Sequence, residues 1–151
     1  MVNGWRLHYH PIFKKQLTSL KNNVKKLKEK VPDGYKAHPK TKLLASVHNA
    51  ITKTVPADPG HKDFRQGNAL GKGNGHWCRV KNGIPNRYRL FFRFIGKPPV
   101  IIFSWMNDET TLRKEGAKTD CYEVFKKMLK KGTVPDSIEK LMSDTPKEVS
   151  D

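Results

Sequence analysis

Five cations alternate along a short stretch of the chain: Arg79 and Lys81, then Arg87, Arg89 and Arg93. Successive side chains of an extended strand point to opposite faces. Over residues 87–94 that puts Tyr88, Leu90, Phe92 and Phe94 on a core face, and Arg87, Arg89, Phe91 and Arg93 on the other. Residues 77–81 divide the same way, with Cys78 and Val80 opposite Trp77, Arg79 and Lys81. If the two strands pair core to core, the five cations converge on one basic sheet face. No carboxylate is interspersed among them, although like charges on adjacent strands repel. A plain solvated face is the simpler reading, but an uncompensated cluster of this kind is suited to an anion.

A phosphodiester fits that cluster. Arg presents a planar fork matching phosphate oxygens, and Lys adds a point charge able to exchange a proton. RNA carries its own nucleophile, the 2′-hydroxyl, so cleavage needs in-line placement, charge stabilisation, and a proton acceptor and donor. That chemistry calls for no metal and no other cofactor. Tyr122 is a further candidate for proton transfer, beside the simpler reading of a half-buried helix tyrosine.

The charge of the whole chain agrees with an anionic partner. Its 151 residues hold 30 Lys and Arg against 14 Asp and Glu, a formal net charge of +16. Residues 1–55 contribute +10 and residues 56–107 contribute +7, while residues 108–151 contribute −1. Such one-sidedness points to nucleic acid, an anionic membrane or an acidic protein, without choosing among them. No run reaches the roughly 18–20 apolar residues of a membrane span, and the N-terminus lacks the apolar stretch of a signal peptide. With only Cys78 and Cys121, neither a disulfide framework nor a multi-cysteine zinc site is expected. One compact, soluble, cytoplasmic domain is the expectation.

The elements that must position these residues follow from periodicity. After a short extended stretch to His10, apolar residues recur at Phe13, Leu17, Leu20, Val24, Leu27 and Val31, one stripe of a lysine-rich helix ended by Pro32-Asp33-Gly34. A second helix is predicted from about Lys40 to Lys53, closed by Pro56. The two form a helical hairpin over residues 1–55. Residues 56–76 read as loop. Residues 77–107 form the sheet: a hairpin with Asn82-Gly83 and Pro85-Asn86 as turn residues, then a central apolar strand from Val100 to Met106. Asp120 can cap a third helix that buries Val124, Phe125, Met128 and Leu129 and stops at Gly132. A short helix at Asp136–Met142 completes residues 120–142, and residues 143–151 read as frayed. The fold class is α+β: an N-terminal helical hairpin packed on a small, mainly antiparallel sheet, followed by a C-terminal helix.

Other signals are weaker. GNALGKGNG at residues 67–75 has the wrong spacing for a phosphate loop, with Gly73 where a Ser or Thr would bind magnesium, and reads as flexible. The six histidines show no metal-ligand spacing; His48 is most simply a partly buried helix residue.

The segments TKLLASVHNAI from Thr41, FRQGNALG from Phe64, WCRVK from Trp77, NRYRLFFRF from Asn86 and VIIFSWMNDETTLRKEGAKTDCYEVFKKMLKKG from Val100 resemble the YhaV toxin family of type II toxin–antitoxin systems. The likeness extends over roughly residues 2–135, and that family is placed in the RelE/ParE superfamily of α+β toxins. The resemblance implies a cytoplasmic, metal-independent endoribonuclease that cuts mRNA on the ribosome. It also implies a cognate PrlF-like antitoxin with a swapped-hairpin DNA-binding domain, contact with operator DNA only through that antitoxin, and no membrane partner. By motif, Arg79 and Lys81 match the basic pair of the first hairpin strand, Arg89 the arginine that holds the scissile phosphate, and Tyr122 a C-terminal catalytic tyrosine. Arg87 and Arg93 join them as phosphate-binding residues, together with Asn107, Asp108, Thr111 and Arg113 after the central strand. Two other readings stand beside the enzyme: a non-catalytic RNA- or ribosome-binding protein, and a ParE-like inhibitor of a topoisomerase.

Overall fold

The computed structural model describes residues 1–145. A four-stranded mixed sheet runs in the order β1-β4-β3-β2, from strands Arg6–Tyr9 (β1), Cys78–Val80 (β2), Leu90–Gly96 (β3) and Pro99–Met106 (β4). β3 pairs antiparallel with both β2 and β4. The extended stretch before His10 is a true strand, and it pairs parallel to β4. The sheet therefore draws on residues before the 77–107 segment, and β4 is interior, as its unbroken apolar run requires.

Helix α1 spans Pro11–Lys30, with Pro at its first position and the His10 ring accepting the Ile12 N–H as cap. Helix α2 spans Pro39–Asn49 and widens into a π-type turn at Ala50–Thr54 before a last single turn, α3, at Val55–Ala57. Pro56 thus lies inside the final turn instead of closing the helix before it. At the start of a new turn its missing N–H removes no bond the helix needs. Phe13, Leu17 and Leu20 of α1 and Leu43 and Val47 of α2 bury against Leu90, Phe92, Ile101, Phe103 and Met106. Gln16 clips α1 to the sheet: its side-chain amide donates to the Met106 carbonyl and accepts the Met106 N–H.

The opposite sheet face was expected to be a basic surface, and it is instead a second core. Strand parity holds, but helix α4 (Cys121–Lys131) covers this face. Phe91 stacks on Phe125 with centroids 4.4 Å apart, and Trp77 and Trp105 close around the same ring. Fully burying a phenylalanine such as Phe125 is worth roughly 1.5–3 kcal/mol. Three aromatics on a face with four arginines outweigh the cost of covering it, and the cations are left at its rim. Asp120 caps α4 and Gly132, at φ +77°, ends it. Helix α5 runs from Ile138 to Asp144, two residues later than expected and capped by Ser137. Of the segment read as frayed, Ser143 and Asp144 belong to α5, and residues 146–151 lie outside the described residues.

Local departures concern the loops. β3 begins at Leu90, three residues after the predicted start, because Arg87 takes a left-handed conformation with φ +70°. Phe91 pairs with Trp105 and Phe92 with Phe103, which leaves Ser104 as an extra residue in β4. The glycine-rich loop is ordered. Gln66 accepts the Leu70 N–H and donates to the Asn74 carbonyl, Asn74 donates to the Leu70 carbonyl, and Leu70 itself is fully buried. His48 is exposed, not part-buried.

Candidate active site

Tyr122 sits in the first turn of α4, where the Asp120 cap accepts its N–H and fixes the entry angle of the helix. Its ring packs edge-on against Phe91. That places the phenol oxygen at the rim of the second core, between β2 and β3. Arg79 Nε donates to it at 2.9 Å and Arg89 Nε at 3.3 Å. A hydroxyl accepts at two lone pairs and donates once. Two arginines fill the acceptor side, so the Tyr122 O–H is left as a donor. Each guanidinium is steadied by a second bond, from Arg79 Nη1 to the Asp63 carbonyl and from Arg89 Nη1 to the Tyr88 carbonyl. Among the described residues, neither arginine forms an ion pair.

Arg113 and Asn107 brace this centre, and Asp108 closes the loop that carries Asn107. Arg113 lies over the Tyr122 ring at 4.9 Å and pairs with Asp120 at 2.9 Å, a bond that holds its guanidinium above the usual arginine range. Asn107 is buried, and its side chain is committed inward: it accepts the Arg89 N–H and donates to the carbonyls of Arg87 and Thr111. Asp108 accepts from the Thr110 and Thr111 hydroxyls and the Thr110 N–H. Partial burial pushes its carboxyl up, but these bonds outweigh that and hold it below the ordinary range. Of the loop residues singled out by resemblance, Asn107 reaches Arg89 and Arg113 reaches Tyr122, while the bonds of Asp108 and Thr111 close the 107–111 loop on itself.

The remaining expectations separate. Arg87 is exposed at the turn, and its carbonyl ties the Arg113 N–H and Asn107. Lys81 lies just past β2, exposed, on the wall of a cavity of about 250 Å³ that Asp63 also lines. Arg93 does not join the cluster. It lies over Trp77 at 5.6 Å and donates to the Asp136 carbonyl, with Phe91 between it and Arg89 on the same strand face. Both cysteines are buried, which pushes each thiol up to about 11 and keeps it uncharged near neutral pH. Sequence reasoning found Asp120 only as a cap and missed the bracing role of Asn107 and the Asp63 carbonyl. An inward-turned amide has no signature in a single sequence, nor has a backbone acceptor.

Two arginines sharing one phenol oxygen, neither in an ion pair among the described residues, form a centre suited to a phosphodiester, on an α+β fold of modest size. A family profile described as a toxin with endonuclease activity, of a toxin–antitoxin system, matches residues 7–146. The chain belongs to this YhaV toxin family. It is 49% identical over 145 residues to the ribonuclease toxin YhaV of Escherichia coli K12, covering 95% of this chain and 94% of that one. The YhaV toxins of Escherichia coli O6:H1 and O157:H7 match with the same identity and coverage. No solved structure matches the chain. Among the described residues, no helix is long and apolar enough to cross a membrane, and no group of three or more His, Cys, Asp or Glu side chains is placed to hold a metal ion.

Proposed function

We propose that the chain is the toxin of a type II toxin–antitoxin pair and an endoribonuclease that cuts mRNA on the ribosome by 2′-hydroxyl attack. The observation that supports this reading is the phenol oxygen held by two arginine Nε donors, which leaves the phenol O–H to donate beside two cations. In this mechanism the scissile phosphate exchanges places with the Asp63 carbonyl on Arg79, the more exposed of the two guanidiniums. Arg89 supports the charge that builds on the phosphoryl oxygens. The neutral amine form of Lys81 takes the 2′-hydroxyl proton, the 2′-oxygen bonds to phosphorus, and Tyr122 protonates the departing 5′-oxygen. The products are a 2′,3′-cyclic phosphate and a 5′-hydroxyl.

A centre of this kind supplies modest acid–base power, so much of the barrier has to be removed by orienting the RNA, and a ribosome-held message provides that orientation. The lysine-rich outer face of α1 is available to ribosomal RNA or to an acidic segment of the antitoxin. The test is to map the ends of RNA cut in a translating extract. Cyclic phosphate and 5′-hydroxyl ends lost in Tyr122→Phe are expected; 5′-phosphate ends would overturn the mechanism.

One observation favours a second reading. Tyr122 and Arg89 are only 5% and 7% exposed, so the trio could brace a non-catalytic RNA-binding surface. In that case Tyr122→Phe leaves growth inhibition intact, and no RNA is cut at any protein concentration.

A further inference from the structure

Arg79 reaches the Asp63 carbonyl, and Asp63 lines the cavity of about 250 Å³ beside the site. This space is part of the architecture around β2. Arg65 bridges Cys78 across to β2, which docks the segment from His61 to Phe64 against the strand that carries Arg79. The Phe64 ring is fixed below, edge-on to Phe92 at 5.4 Å, with the His61 ring 6.2 Å away. Around this aromatic base stand Asp58, Asp63 and Asn82. The His61 ring nitrogen Nδ1 accepts the Asp63 N–H, so in its neutral form Nε2 carries the hydrogen and is a donor. The cavity thus combines aromatic surface, two carboxylates, an imidazole N–H, an amide and the Lys81 amine, one arginine away from the Tyr122 oxygen.

Single-stranded RNA is recognised by unstacking a base onto aromatic side chains and bonding its Watson–Crick and Hoogsteen edges. We propose that this cavity seats the base next to the scissile phosphate and selects guanine. The inference rests on the reading of Arg79 and Tyr122 as the cleavage centre. A carboxylate accepts two bonds side by side, and guanine alone offers two adjacent donors, N1–H and the N2 amino group. Adenine and cytosine place a ring-nitrogen acceptor beside their amino group, which a carboxylate repels. Uracil flanks its single N3–H with two carbonyl oxygens. Guanine O6 and N7 then face the donors of His61 and Asn82. Cleavage preference would be written in the 58–64 segment and Asn82, outside the arginine–tyrosine centre.

The test titrates the full chain with the 3′-monophosphates of guanosine, adenosine, cytidine and uridine, following the backbone amides of Phe64 and Asn82 by NMR. Guanosine 3′-monophosphate should bind at least about tenfold more tightly than the other three, the discrimination expected of a good bidentate base contact. Asp58→Asn combined with Asp63→Asn should erase that margin, and both positions are exposed, so an unchanged melting temperature certifies the fold. In the translating extract Asp58→Asn alone, which leaves the Asp63 partner of Arg79 untouched, should still cut RNA, with cuts less concentrated beside guanine. Four nucleotides binding within twofold of one another, or shifts that bypass Phe64 and Asn82, would overturn the assignment. Guanine-selective binding without any RNA cutting supports the cavity and removes the cleavage reading instead.

Discussion

Arg89, just before β3, and Arg93, within it, stand four residues apart at opposite ends of the core covered by α4, and they have opposite surroundings. Arg93 is absorbed into structure: it lies over Trp77 and donates to the Asp136 backbone. The Asp136 carboxylate beside it accepts from Trp77 Nε1 at 2.9 Å and meets His76 at 2.8 Å. At the other end Arg89 and Arg79 share the Tyr122 phenol oxygen, and their charge is left for an incoming anion. The contrast teaches that a row of like charges on a strand is not a single surface. What each cation can do is decided by what it rests on, the Trp77 ring for Arg93 and the Tyr122 oxygen for Arg79 and Arg89.

The sharpest way to break this contrast is to remove one hydroxyl. Tyr122→Phe keeps the ring against Phe91 and should lower single-turnover RNA cutting by about 10²–10⁴-fold, the range of a lost proton-transfer group. At the other end Trp77→Phe removes the indole bond to Asp136 and should cost stability while cutting persists. Comparable losses of cutting in both, at equal folded fraction, would erase the distinction. The two arginines come next. Arg89→Ala should lower cutting about 10²–10³-fold, the scale of a lost transition-state donor. Arg93→Ala should lower the melting temperature, with a lost stacking contribution of about 0.5–1 kcal/mol. Cutting assays read beside thermal melts distinguish the two roles.

A smaller effect is expected one step back from the phenol. Asn107→Ala leaves the buried Arg89 N–H without its acceptor, which should cost about 1–3 kcal/mol of stability. Because Asn107 fixes where Arg89 sits, cutting should also fall about tenfold at saturating RNA, as expected when a group far from the chemistry shifts slightly. Asn107→Asp keeps the acceptor for Arg89 and loses the two donations, so it should fall between Ala and wild type. A variant that melts early but cuts at the wild-type rate would reduce Asn107 to a purely structural residue.

Much of this contrast was legible before folding, and the reason is the regularity of strands. Alternation set Leu90 and Phe92 against Arg89, Phe91 and Arg93 correctly, and the apolar run from Val100 to Met106 identified the interior strand. The error was to treat Arg87–Phe94 as a uniform basic face. Phe91, Trp77 and Trp105 are enough to draw α4 over it, and parity says nothing about what covers a face. Arg93 was grouped with Arg89 because Asp136 is 43 residues further along, and no local pattern reports such a partner. Tyr122 is a candidate both from its place at the start of a helix and from resemblance, whereas its two arginine donors depend on the depth and angle at which α4 docks.

Acid titration gives the gentlest test. Burial pushes the Asp136 carboxyl up, but bonds from Trp77 and His76 and the charges of His76 and Arg93 together hold it below its ordinary value near 3.8. A carboxyl depressed in the folded chain stabilises it fully above the unfolded pKa, and that contribution is lost as pH falls through the folded one. The melting-temperature gap between wild type and Asp136→Asn should therefore hold steady from about pH 7 to about pH 5 and narrow below about pH 4. A separate loss at higher pH belongs to His10, whose burial lowers it below 6.5 despite the opposing charge of Asp144. Its neutral ring caps α1, so this contribution is present above about pH 6.5 and declines on acidification, and His10→Asn, which preserves a cap, should remove that step alone. An Asp136→Asn melting curve parallel to wild type down to about pH 3 would mean that the carboxylate does not answer Arg93, and the two ends of the core would no longer differ in the way their bonding indicates.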